Sequence, residues 1–357
     1  LKTILKDLKV VEFANVLAGP AVGMFFAELG AKVIKVENKT TGGDLTRHWK
    51  TNGEDAASPV SAYYASVNYG KEVLMLDLAN PEDRQMTDQL IREADIVITN
   101  FRKADALKLR MQYADLKKLN PQILHGNISA YGEDDPRAGF DLVLQAEAGF
   151  MSMNGTAESG PLKMPVALID VLAAHQLKEG LLLGLLRKLK TGEGAHVTVS
   201  LYESAIASLV NQASNYLSTG FVAGLNGSLH PNIAPYGEIL LTSDKKQIVL
   251  AIGNDKQFAQ LCNVLMKPEL ADDPDFRTNS NRLSNRIALG IKLVEAAIHF
   301  DAKTLQARFN GAGIPAGQIL PLNQVFASAE AQSLVLEEYR DGRSLRSVSS
   351  LAFRIKA

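Results

Sequence analysis

The stretch PLKMPVALIDVLAAHQLKEGLLLGLLRKLKTG (Pro161–Gly192) carries one acid, Asp170, where a short apolar run, Met164–Ile169, passes into a long apolar segment. Leu172, Leu177, Leu181, Leu182, Leu183, Leu185 and Leu186 place apolar side chains on nearly every turn between Val171 and Leu189. That spacing predicts a helix buried nearly all round. Arg187, Lys188 and Lys190, then Thr191-Gly192, mark its C-terminus. At the helix entry Asp170 has two readings. It is a cap whose oxygen accepts a first-turn N–H, or it is a nucleophilic carboxylate kept ionised by the helix N-terminus.

Towards the N-terminus, Leu8–Asn15 reads as a buried strand, Val16–Pro20 as a turn, Ala21–Leu29 as a helix stopped by Gly30, and Ala31–Glu37 as a second strand. This β-α-β unit predicts parallel strands with a right-handed crossover. Its glycines, Gly19 and Gly23, do not have the G-x-G-x-x-G spacing of a dinucleotide site. Gly19-Pro20 is either an ordinary tight turn or a ligand loop. Thr40–Ser61, with the single tryptophan Trp49, reads as a surface excursion. Strands over Val73–Leu78, Asp95–Thr99 and Gln122–Ala130 then alternate with helices over Pro81–Glu93 and Ala104–Leu119. Asn100-Phe101-Arg102-Lys103 follows the carboxyl end of a strand, where open α/β sheets bind ligands. Asp141 opens a short helix, Asp141–Gly149, as a cap or a site residue.

Beyond the long helix, His196–Tyr202 alternates as a strand with one buried face, and Glu203–Leu217 reads as a helix. Ser218–Pro235 is rich in Gly, Ser, Asn and Pro and marks a boundary. Tyr236–Leu241 and Gln247–Ile252 form a hairpin. Helices follow over Asp255–Met266, Ile287–His299 and Ala302–Phe309, then a loop over Gly311–Gln318. The expected organisation is α/β: a large domain with a parallel sheet over 1–217, a linker or mobile loop over 218–235, a smaller α+β domain over 236–318, and a return segment over 319–357.

The totals exclude several classes. Across 357 residues, 38 Lys+Arg against 39 Asp+Glu leave a net charge of -1, without the basic excess of a nucleic-acid binder. A single cysteine, Cys262, forms no intramolecular disulfide and suits a reducing cytoplasm. No apolar run reaches the roughly 20 residues of a membrane span, and no signal peptide opens the sequence. There is no H-E-x-x-H, C-x-x-C, G-x-x-x-x-G-K-[ST] or G-x-S-x-G, and the histidines are scattered in sequence and read as packing or surface residues. Carboxylate chemistry remains, with Asp170 and Asp141 the best-placed acids.

Several phrases in order, VVEFANVLAGPAVGMFFAELGAKVIKVEN, ADIVITNFR, GFDLVLQAEAG, KMPVALIDVLAAH, KTGEGAHVTVSLYESA, and HPNIAPYG with LAIGNDKQF behind it, resemble the family III coenzyme A transferases. That group includes formyl-CoA transferase, carnitine-CoA transferase and α-methylacyl-CoA racemase. The resemblance implies a Rossmann-like large domain, a small domain, a C-terminal return and an interlocked homodimer. It implies coenzyme A or acyl-CoA as substrate, with no metal and no NAD. It makes Asp170 the catalytic aspartate and places Val16, Leu17 and Ala18 on a turn at the pantetheine end. Leu17 departs from the glutamine of formyl-CoA transferases, and Asn38 stands where those enzymes have an arginine for the nucleotide. Leu76–Ala79 and Asn100-Phe101-Arg102 resemble backbone-contact segments, and Lys108 a nucleotide-binding basic position. Ala138 replaces a lysine, with Arg137 adjoining, and Asp141 falls on an acid beside the site.

Phe140 stands where transferases carry an aromatic and racemases a catalytic histidine. A racemase needs a base on each face of the α-carbon, and phenylalanine moves no proton. The transferase reading is therefore preferred, through a mixed anhydride and an aspartyl-CoA thioester on Asp170, with Gly220–Gly227 expected to close over the site and exclude water. The alternatives are a racemase of the same family, an NAD-type oxidoreductase on the first β-α-β unit, and a catalytically silent CoA-binding protein.

Overall fold

The computed structural model describes residues 3–340 and 342–355. Its main sheet has six strands: β1 (Lys9–Glu12), β2 (Lys32–Asn38), β3 (Glu72–Leu76), β4 (Ile96–Thr99), β5 (Leu124–Ser129) and β6 (Ala195–Ser200). Their order is β3-β2-β1-β4-β5-β6, and every neighbouring pair is parallel. A parallel sheet is covered on both faces, so its central strands carry apolar runs, Val10-Val11 in β1 and Ile96–Ile98 in β4; all of β4 is buried. The order reverses between β1 and β4. That is a topological switch point, and it opens a crevice beyond the carboxyl ends of those two strands.

On one face lie α1 (Ala18–Glu28) and the long helix, which runs over Leu168–Thr191. Val22, Phe25 and Phe26 of α1 pack with Ile169, Ala173, Leu177 and Leu181 of the long helix over Ile96, Ile98 and Leu124. Burying each large side chain contributes about 1.5–3 kcal/mol. The other face is closed by Ile91, Met111, Leu116 and Ile123 against Val11, Val36 and Val97.

Several elements differ from the sequence expectation. The first helix begins at Ala18, so Gly19-Pro20 is its first turn and not a separate one. Proline is tolerated there because early helical N–H groups have no partner to lose. A Cβ on Gly19 would lie 2.3 Å from the Ala14 Cβ, so the glycine lets the helix close on the chain that leaves β1. The expected helix over 104–119 is two, Lys103–Lys108 and Tyr113–Leu119, with Arg110 left-handed between them (φ 51°). The expected helix over 203–217 is likewise Leu201–Ala207 and Val210–Thr219, broken at Val210 (φ 43°).

The long helix is not buried all round. Leu183 is 67% exposed and Leu189 85%, and Leu182 and Leu186 are exposed beside them. Only the face carrying Ala173, Leu177 and Leu181 meets the sheet. The segment over 40–61 is not a simple surface excursion either, since Asp44, Thr46 and Ser61 are buried.

The first unit comprises the chain up to Ser152, Lys163–Ala223, and the chain from Glu330 on. Its last part is a hairpin, Val335–Arg340 with Arg343–Val348. Arg340 donates to the carbonyls of Lys71 (2.8 Å) and Asn68, and Ser350 donates to Glu28.

The second unit takes Met153–Leu162 and Gly224–Ala329, so its main part begins inside the stretch read as a linker and runs past 318. Tyr236–Leu241 and Gln247–Ala251 pair antiparallel, and a third strand, Ala316–Gln318, joins where a loop was expected. Phe258, Leu261, Leu289, Leu293 and Phe309 form its core. The buried guanidinium of Arg282 donates to the Ala234 carbonyl at 2.6 Å and to Asp255 at 2.6 Å. Among the described residues no helix is long and apolar enough to cross a membrane.

Candidate active site

At the switch point the chain leaves β1 through Asn15 and Val16 and enters α1. Two side chains hold this turn. The Asn100 amide, just beyond β4, accepts from the Asn15 N–H (3.1 Å) and donates to the Asn15 carbonyl (2.9 Å). Asp44 Oδ2 accepts from the Val16 N–H at 3.1 Å. Val16 has φ 74°, in the left-handed region that a β-branched residue rarely adopts.

Asp44 belongs to a buried charge network. Lys35 Nζ lies 3.2 Å from Asp44 and 3.0 Å from Glu12, and Lys71 Nζ lies 2.8 Å from Glu12, all with side chains fully buried. Burial works against the Lys35 cation, but Glu12, Asp44 and Glu37 outweigh it and raise its pKa. Lys71 is pushed down to about 7 by burial despite Glu12.

Asp170 is the third residue of the long helix and does not cap it: the position before the helix is Ala167, without a side-chain hydrogen bond. The cap comes from elsewhere in the sequence. Asp141 Oδ1 accepts from the Ile169 N–H at 2.7 Å and from the Asp170 N–H at 3.4 Å. Gln145 fixes Asp141 by donating to its other oxygen at 2.7 Å, while its own amide oxygen accepts from the Met164 N–H at 2.8 Å. The Asp170 carboxylate is thus left without a hydrogen bond among the described residues. It is only 8% exposed. Burial, then the nearby Asp141 charge, pushes its pKa up to about 7. Burial and the Asp141 charge thus work against the ionised form that the nucleophile reading of Asp170 calls for. Tyr63, which stands edge-on to Trp49 at 5.1 Å, feels the same acids, and burial with Asp170 and Asp141 raises its pKa to about 12.

Asp170 opens onto a cavity of about 460 Å³, which Val16, Leu17, Ala18, Asn100, Phe101, Arg102, Arg137 and Phe140 also line. Asn38 and Leu76 do not share it. They line a separate hollow of about 90 Å³ with Asp77, Leu78, Leu109 and, again, Phe101. Asp141 lines neither and acts through the helix start; Lys108 lines neither and is exposed. At the cavity rim Arg137 pairs with Asp135 at 2.8 Å and Lys103 with Asp134 at 2.5 Å. Among the described residues Arg102 pairs with no acid.

Sequence reading missed a polar ladder in the same cavity. His125 and His196 are register partners on β5 and β6, and their rings stack at 4.7 Å, with Tyr113 on His196 at 4.9 Å. Thr99 donates to Asn127 Oδ1 (2.9 Å), so its oxygen accepts from His125 Nε2 (2.8 Å). His125 Nδ1 is then a buried lone pair without a partner. Burial pushes the His125 pKa to about 3, so the ring is neutral. The histidines looked scattered because strand register, not sequence spacing, brings them together.

Similarity to known proteins runs over nearly the whole chain. The model of CoA-transferase family III matches residues 5–355. The chain is 35% identical over 338 residues to a succinate–glutarate CoA-transferase of Agrobacterium fabrum, covering 93% of this chain and 84% of that one. It is 34% identical to a succinyl-CoA:glutarate CoA-transferase of Mus musculus, covering 93% and 76%. A solved CAIB/BAIF family protein from Brucella suis superposes with a TM-score of 0.86 at 35% identity, over 99% of this chain and 93% of that one.

Proposed function

The chain belongs to CoA-transferase family III and is a CoA-transferase, and from that premise we propose that Asp170 is its acyl carrier and that its acids are dicarboxylates. The observation that carries the first part is a carboxylate with no hydrogen bond among the described residues, nearly buried, on the wall of the larger cavity. A carboxylate stripped of partners is poorly stabilised as a ground-state anion and is the more reactive nucleophile once ionised.

An Asp170 oxygen attacks the thioester carbonyl of the donor acyl-CoA, and the C–S bond breaks to release CoA thiolate and leave a mixed anhydride. The thiolate attacks the aspartyl carbonyl, and the donor acid leaves as its carboxylate. An acceptor carboxylate attacks the resulting aspartyl-CoA thioester, again releasing thiolate and forming a second anhydride. The thiolate takes the acceptor's acyl carbon, and Asp170 returns as a carboxylate. No proton is gained or lost over the cycle. N–H groups at the head of α1, which have no intrahelical acceptor, are suited to stabilise the tetrahedral oxyanions.

Dicarboxylates are favoured because the relatives similar to this chain are named for succinate and glutarate. Arg102, unpaired at the rim, suits a distal carboxylate or a CoA phosphate. The smaller hollow, with Asn38, Leu76 and Phe101, is of a size for part of the nucleotide. The exposed leucine face of the long helix supports a homodimer in which a second copy covers it.

The test is transfer from succinyl-CoA to a panel of carboxylic acids, read by mass spectrometry. Glutarate and similar dicarboxylates are expected to accept, and Asp170→Ala to abolish transfer. Borohydride or hydroxylamine trapping during turnover should label the peptide holding Asp170. Full transfer by Asp170→Ala overturns the mechanism, and acceptance of monocarboxylates alone overturns the substrate class.

A further inference from the structure

Asp44 and Asn100 lie far from Asp170 in sequence, yet both end on the turn that shares its cavity. Asn100 uses its amide oxygen and its amide N–H on the two backbone groups of Asn15. Asp44 splits its oxygens unevenly: Oδ1 takes the Thr46 N–H at 3.0 Å and the Thr46 hydroxyl at 2.8 Å, and Oδ2 takes the Lys35 ammonium and, at 3.1 Å, the Val16 N–H, which reaches Oδ1 only at 3.4 Å. Val16 is left-handed, and a valine there is strained unless its surroundings over-determine it. Thr40–Ser61, read from sequence as an excursion, exists in part to bring that carboxylate under the turn.

We infer that Asp44 and Asn100 are positioning residues of the transfer reaction: they clamp Asn15 and Val16 in a left-handed turn that valine would otherwise leave, and thereby fix Leu17 and Ala18 on the wall they share with Asp170. The burial of the clamp explains why the charges of Lys35, Glu12 and Lys71 surround it. A lone carboxylate under the turn would be costly, and its pairing with Lys35 makes it tenable, while Glu12 ties Lys35 to Lys71. This inference rests on the CoA-transfer reading for its kinetic consequence, not for its structural one.

The decisive comparison is Asp44→Asn alone and with Val16→Gly. An asparagine has one acceptor oxygen. Whichever way the amide turns, its NH₂ meets donors, either Thr46 or Val16 and Lys35. In crystals of Asp44→Asn, residue 16 is expected to leave the left-handed region, and kcat to fall about tenfold or more while the KM for acyl-CoA changes much less. Glycine keeps a positive φ without strain, so the double variant is expected to restore the turn and to recover most of the lost kcat without recovering thermal stability. A merely structural role predicts the opposite, with activity following stability.

If Asp44→Asn does not fold, Lys35→Met/Asp44→Asn, which removes one opposite pair and keeps the interior neutral, takes its place. The inference is overturned if residue 16 stays left-handed with unchanged kcat, or if Val16→Gly restores neither conformation nor rate. A wild-type protein without transfer activity would defeat the CoA-transfer reading, while the conformation of residue 16 would still decide the clamp.

Discussion

Replacing Asp170 with asparagine should make the protein more stable at neutral pH while ending its chemistry. The native carboxyl has a pKa near 7, raised by burial and by Asp141, against 3.8 when unperturbed. Between those values the native state holds a proton that the unfolded chain releases, so Asp170 subtracts stability as pH rises. At about 1.4 kcal/mol per pH unit the full penalty is about 4 kcal/mol above pH 7, with about 3 kcal/mol of it arising between pH 5 and 8. Asparagine carries no such penalty. Its buried amide costs roughly 1–3 kcal/mol for unmet hydrogen bonds, but that offset does not vary with pH. The slope is therefore the signal. Trp49, the single tryptophan, belongs to the same unit as Asp170, so its fluorescence follows the right unfolding event in urea. The stability of Asp170→Asn minus that of the wild type should increase from pH 5 to pH 8. A difference that stays flat over this range would refute the burial argument.

Asp141→Asn removes the like charge beside Asp170, so the acid limb of the kcat/KM–pH profile should move to lower pH; an unmoved limb means Asp141 does not act on Asp170 by charge. In Gly23→Ala the new Cβ would fall 1.8 Å from Glu12 Oε2, displacing the carboxylate that holds Lys35 and Lys71. Breaking such a buried set should cost about 3–5 kcal/mol in urea denaturation. Cys262 is fully buried, with its thiol pushed up to about 12 by that burial. A disulfide reagent at pH 8 should label it only after denaturation, and prompt labelling of the native protein would contradict the packing of the second unit.

Local signals were strongest where they were redundant. The helix Pro81–Glu93 was read to the residue because Asn80 caps it, Pro81 opens it and Glu82 and Asp83 fill its first turn. The strands of the main sheet were legible from apolar runs, within a few residues at each end. The breaks at Arg110 and Val210 were not, since neither is the glycine or asparagine that usually marks a left-handed residue. The strand Ala316–Gln318 is three residues at a sheet edge, too short for an alternation to register. Asp170 was found as an acid at a helix entry, but its cap role belongs to Asp141 and could not be assigned from one sequence, because the bond joins positions 28 apart. Asp44 was hidden for the same reason. Nothing around it in the chain shows that its partner would be the Val16 N–H.

The order in which the units are strung has a consequence for birth on the ribosome. The second unit lies between the parts of the first, which takes up the chain again at Glu330. All residues of the inner unit are synthesised before the hairpin that brings Arg340 to Lys71 and the Ser350 that meets Glu28. The host thus cannot make its final stitches until synthesis has passed the whole of its guest.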